Sequence, residues 1–86
     1  MKFVGAVLKE QNVKFAVVKV KPKTLESASV RDHALEKFDK IFEGLPIVLV
    51  AEQDKGAPTC FGRKDIAQYL ATVKISQIPW KQYTYD

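Results

Sequence analysis

A chain of 86 residues, 47% of them hydrophobic and with a mean hydropathy of −0.15, has room for one core; it is too short for two ordinary domains and too apolar for a disordered tail. A formal net charge of +4 and a pI near 9.3 permit attraction to nucleic acid, anionic membranes or acidic proteins without requiring any of them, because such a charge is ordinary for a small domain. Cys60 is the single cysteine, which excludes an internal disulfide and any cysteine-rich metal cluster.

The apolar stretch at residues 1–8 is too short to span a membrane and lacks a signal-peptide cleavage region, so a reducing cytoplasm is the expected compartment and a membrane is not an expected partner. Phe3 to Leu8 and Val13 to Val20 are rich in apolar and β-branched residues and are separated by the polar tetrad Lys9-Glu10-Gln11-Asn12. This pattern predicts an antiparallel hairpin that stops at Lys21-Pro22. In the second strand Phe15 and Val17 point to one face and Ala16 and Val18 to the other, since side chains alternate along a strand. Apolar residues on both faces call for cover on both, from one helix per face or from a partner surface.

Residues 21–27 read as a connector, and Ser29-Val30-Arg31-Asp32 offers a capping box for the helix that follows. Ala34, Leu35, Phe38, Ile41, Phe42 and Leu45 fall on one side of that helix; Asp32, Glu36, Lys37, Asp39, Lys40 and Glu43 supply its wet side, and Gly44 stops it. Pro46 leads the apolar run Ile47 to Ala51, a central strand. The strand-helix-strand order predicts that this strand lies parallel to the second, with a right-handed crossover. A turn around Asp54-Lys55-Gly56 leads to a short fourth strand, Thr59-Cys60-Phe61, antiparallel to the third. After Gly62, residues 63–73 form a second helix with a core stripe of Ile66, Ala67, Leu70 and Val73.

The tail holds a packed extended segment, Ile78-Pro79-Trp80, and Tyr83-Thr84-Tyr85, which either adds an edge strand or lies across the sheet. The expected fold is thus a single α+β domain over residues 1–86, in the order ββαββα, with a mixed four-stranded sheet, two helices and an extended aromatic C-terminal tail. From Phe15 to Leu70 the succession of strand, helix, Pro-led strand, Gly-containing turn, short strand, Gly and helix resembles the C-terminal two-thirds of a thioredoxin-like domain. In that resemblance Pro46 matches the position often held by a cis-proline. The Cys-x-x-Cys motif of the family has no counterpart, so the resemblance implies architecture and no redox chemistry.

Gly62, Arg63 and Lys64 form a candidate anion site, because a helix start presents free backbone donors beside two cations. The structural alternative is that Gly62 serves backbone geometry and the two cations are solvated surface. Phe15, Trp80, Tyr83 and Tyr85 are interface candidates, since tryptophan and tyrosine anchor interfaces; Trp80 equally fits as a plug in its own core. Lys14, Lys19, Lys21 and Lys23, with the same aromatics, give a basic stacking surface for nucleic acid but no recognised binding motif.

Cys60 reads as a structural thiol and His33 as a surface histidine. The carboxylate pairs Asp32 with Glu36 and Asp39 with Glu43 are interleaved with lysines on a wet face. No catalytic residue, metal ligand or cofactor is assigned. The expected function is a non-enzymatic interaction module that forms a homodimer or binds another protein. The alternatives are a nucleic-acid-binding accessory protein, and a small enzyme or redox-like protein lacking a Cys-x-x-Cys motif.

Overall fold

The computed structural model describes residues 2–10, 12–52, 58–73 and 75–84. Strands β1 (Lys2–Glu10) and β2 (Val13–Val20) are followed by helices α1 (Pro22–Glu26) and α2 (Ala28–Ile41) and strands β3 (Ile47–Ala51) and β4 (Thr59–Phe61). Helix α3 (Lys64–Ala71), a 3-10 turn (Ile75–Gln77) and strand β5 (Lys81–Thr84) complete the order. The five strands form one mixed sheet, β4-β3-β2-β1-β5. The β1–β2 hairpin and the parallel β2–β3 and antiparallel β3–β4 pairings match expectation.

The expected four strands and two helices are corrected to five strands and three helices among the described residues. The fifth strand comes from the tail, where Lys2–Gly5 of β1 pair antiparallel with Lys81–Thr84. Of the two alternatives for the tail, the edge strand is the one that forms, through Tyr83 and Thr84; its start at Lys81 and its partner are set by pairing with a distant strand, which no local pattern records. The extra helix, α1, lies in the supposed connector. Pro22 opens it, its fixed φ being already helical and its missing N–H costing nothing in the first turn. The cap of α2 also moves, from Ser29 to Ser27. Ser27 is extended (φ −110°, ψ 122°) between the two helices, and its side chain accepts from the Val30 N–H at 3.4 Å. The Leu45–Pro46 bond is trans, unlike the cis position implied by the thioredoxin-like resemblance. The turn expected at Asp54-Lys55-Gly56 lies outside the described residues.

The hairpin is tighter than a four-residue turn: Glu10 pairs with Val13, and Asn12 takes φ 66°, a left-handed conformation that asparagine tolerates. At its tip the Tyr69 hydroxyl donates to Glu10 Oε2 at 3.1 Å, tying α3 to the hairpin; that hydrogen bond raises the phenol pKa.

The two-faced β2 and β3 are covered on both sides by their own chain. On one face Ala16, Val18, Ile47 and Leu49 pack against Phe38 and Phe42 of the α2 segment. On the other, Phe15, Val17, Val48 and Val50 pack against Ile66 and Leu70 of α3 and against Ile78. Three layers result, helix on sheet on helix. Phe3 and Tyr83 close the α2 side, with rings stacked at 5.1 Å, and Phe3 meets Phe38 edge-to-face at 4.9 Å. These rings cross a buried glycine, Gly5, where an added Cβ would stand 2.8 Å from the Val17 carbonyl oxygen. Among the described residues no helix is long and apolar enough to cross a membrane.

Candidate functional site

Where β2 ends at Pro22, the chain turns away from the sheet into α1 and returns as α2, leaving a groove between this bend, the start of β1 and one flank of α2. Its volume is about 560 Å³, within the range typical of small-molecule sites. The floor is apolar: Phe3, Val20, Val30, Ala34 and Phe38. Lys2, Lys21, Lys37 and His33 stand on its rim, with the hydroxyl residues Thr24 and Ser29 on the α1–α2 side, and among the described residues no aspartate or glutamate lines it. His33 and Lys37 share a flank because residues four apart lie one above the other on a helix. Lys2, Lys21 and Lys37 form no ion pair with any described residue. Lys19 also lines the groove, but its Nζ lies 2.8 Å from Glu52 Oε1 and 5.5 Å from the centre of the Trp80 ring, so its charge is already matched. The groove therefore combines an apolar bed with three lysines that no described carboxylate pairs.

The sequence marked Lys21 as basic and His33 as exposed, but it pointed to neither the groove nor Lys2, Thr24, Ser29, Val30 and Lys37. The groove exists because α1 stands between β2 and α2. Pro22 following the last strand residues is the one local signal that could have revealed it.

The candidate anion site looks different in three dimensions. Gly62 runs against β3, where an added Cβ would stand 2.7 Å from the Ile47 carbonyl oxygen and 3.0 Å from Val48 Cα; close backbone approach accounts for the glycine. Arg63 Nε lies 2.9 Å from Asp65 Oδ1, so a carboxylate of the first turn already neighbours this cation. Lys64 is exposed.

The interface candidates do not form one surface. Phe15 is 1% exposed and belongs to the α3-side core. Trp80 is half-buried against that same core, whereas Tyr83 lies on the opposite face of the sheet beside Phe3 and Phe42. Tyr85 lies outside the described residues. The aromatics grouped with Lys14, Lys19, Lys21 and Lys23 for nucleic acid are divided in the same way.

Cys60 is half-buried against the α3-side core, and His33 stands across the sheet on α2, so the two do not converge. Burial pushes the Cys60 thiol pKa up, opposite to the shift an activated nucleophile needs. Iodoacetamide at neutral pH is therefore expected to modify Cys60 more slowly in the folded protein than in the urea-unfolded chain; faster modification of the folded form would contradict this environment. The same shift favours folding below the unfolded thiol's pKa, and that contribution is lost as pH rises through the raised value.

Arg31 sets its guanidinium 4.0 Å from the centre of the Phe61 ring and so ties α2 to the edge strand β4. Among the described residues no group of three or more His, Cys, Asp and Glu side chains is placed to hold a metal ion. Comparison of the chain with protein-family models, with curated proteins and with solved structures finds no match in any of the three.

Proposed function

We propose that the protein is a non-enzymatic binding module whose groove takes a small anionic ligand with an apolar body, a carboxylate or phosphate on an aliphatic or aromatic group. The observation that carries this reading is the pairing of an apolar floor with a lysine rim that no acidic lining residue offsets among the described residues. Apolar burial supplies most of the free energy, and the ammonium groups choose an anion over its neutral analogue. Extended nucleic acid would share only the charge. Phe38 is buried and Phe3 is packed edge-to-face on it, so neither ring is splayed as a platform for a base.

Titration with decanoate and with decanol, followed through backbone amide shifts, tests the reading. Decanoate is expected to bind more tightly than decanol, and the Lys21→Gln/Lys37→Gln variant to lose roughly ten-fold in decanoate affinity, the equivalent of about 1.4 kcal/mol. Equal affinity for acid and alcohol, or a variant that binds decanoate as well as the parent, would sink the proposal. A single-stranded oligonucleotide that displaces decanoate from the groove at physiological salt would favour nucleic acid instead.

A further inference from the structure

We infer that the protein forms a two-fold symmetric dimer through the open half of the β1 edge, joining two five-stranded sheets into one. The inference does not depend on the groove. Strand β1 spans nine residues, Lys2–Glu10, and β5 pairs only with Lys2–Gly5, so among the described residues no strand neighbours the outer side of β1 from Ala6 onward. Beside Gly5 the chain leaves the sheet: Ile78 packs with Ala6 in the α3-side core, and the Trp80 N–H turns back to the Ile78 carbonyl at 2.8 Å.

Strand geometry identifies which backbone groups are open. The Ala16 N–H donates to the Pro46 carbonyl at 2.9 Å, so Ala16 directs its backbone groups toward β3. By alternation Phe15 and Val17 direct theirs toward β1, where they face Leu8 and Ala6. Val7 and Lys9 must then point their N–H and C=O groups outward, and both residues are exposed. Phe3 and Gly5 share this orientation, and β5 occupies their side with Tyr83 and Lys81.

A second copy of the same segment matches these four groups. With a two-fold axis normal to the sheet at Leu8, Val7 faces the partner's Lys9, and Lys9 faces the partner's Val7. Each pair exchanges two hydrogen bonds, and no outward group on the open segment is left over. Leu8 meets its own copy on the α3 side, and each lysine lays its alkyl stem along a valine that is 37% exposed in one chain. The neighbouring two-fold registers are excluded. Centring on Val7 would claim Gly5, which β5 already uses, and centring on Lys9 would set two ammonium groups opposite each other.

The test is solution mass across a concentration range, for the wild type, Val7→Lys and Trp80→Ala, with far-UV circular dichroism to confirm the fold of each. The wild type is expected to rise from 9.7 kDa toward twice that mass. Val7→Lys sets lysine against lysine across the axis at an exposed position; it is expected to stay folded and monomeric at concentrations where the wild type is dimeric. A wild type that stays at 9.7 kDa up to millimolar concentration overturns the inference. So does a dimer that survives Val7→Lys, or one that only Trp80→Ala dissociates, which would place the contact on the tail instead.

Discussion

Replacing Gly62 by valine is expected to destabilise the fold by at least about 3 kcal/mol, while Arg63→Ala/Lys64→Ala leaves its stability nearly unchanged. At Gly62 even a methyl group would stand 2.7 Å from the Ile47 carbonyl oxygen and 3.0 Å from the Val48 Cα and one of its methyls. Those are main-chain and central-strand atoms, and they move only if β3 moves. Overpacking of this kind costs about 1–3 kcal/mol for small insertions, and valine adds two further methyls to the first collision. The whole domain has roughly 4–13 kcal/mol to lose, at about 0.05–0.15 kcal/mol per residue. The exposed cations beside it sit away from the core, so their removal should change stability by no more than about 0.5 kcal/mol. Urea denaturation of the three proteins checks both halves. A Gly62→Val protein as stable as the parent would mean that the glycine is not held by packing, and would return attention to Gly62, Arg63 and Lys64 as an anion site.

The second large effect is at Phe15. As an interface residue its removal would leave the isolated domain intact, but a side chain 1% exposed among Val17, Val48, Ile66 and Leu70 is core. Phe15→Ala is expected to cost about 3–5 kcal/mol, the usual range for deleting a buried phenylalanine. For a domain of this size each kcal/mol moves the melting midpoint by roughly 4–8 °C, so thermal unfolding should fall by at least about 12 °C. A fall of only a few degrees would show that the α3-side core repacks around the gap.

What could be read from the chain beforehand was what local pattern records. The six-residue apolar stripe from Ala34 to Leu45 describes the buried side of the α2 segment, because a helix repeats its faces within a few residues. The two-faced character of Ala16 to Val18 led to the choice between one helix per face and a partner surface. The structure resolves it with α2 on one side and α3 on the other, and this removes one of the grounds for expecting a partner over the sheet.

Other features depended on contacts between distant parts of the chain. Lys81–Thr84 carry no alternation of their own and become a strand because β1 has free edge groups over Lys2–Gly5. The helix at Pro22–Glu26 is too short to register as a periodic pattern. The groove it shapes has no local signature either, and nothing in the sequence shows that Lys2 and Lys37, 35 positions apart in the chain, share a rim. The aromatic tail was legible as a set of anchors, but not as residues divided between two faces of a sheet.

The measurement that bears most directly on the functional reading is a backbone amide shift map of the labelled protein at saturating decanoate, set beside the same map with decanol. Anion binding in the groove is expected to concentrate the decanoate shifts at Lys2, Thr24, Val30, His33 and Lys37, with decanol producing the same pattern only at much higher concentration. Shifts centred on Gly62 to Lys64, or spread evenly over the surface with acid and alcohol alike, would contradict it.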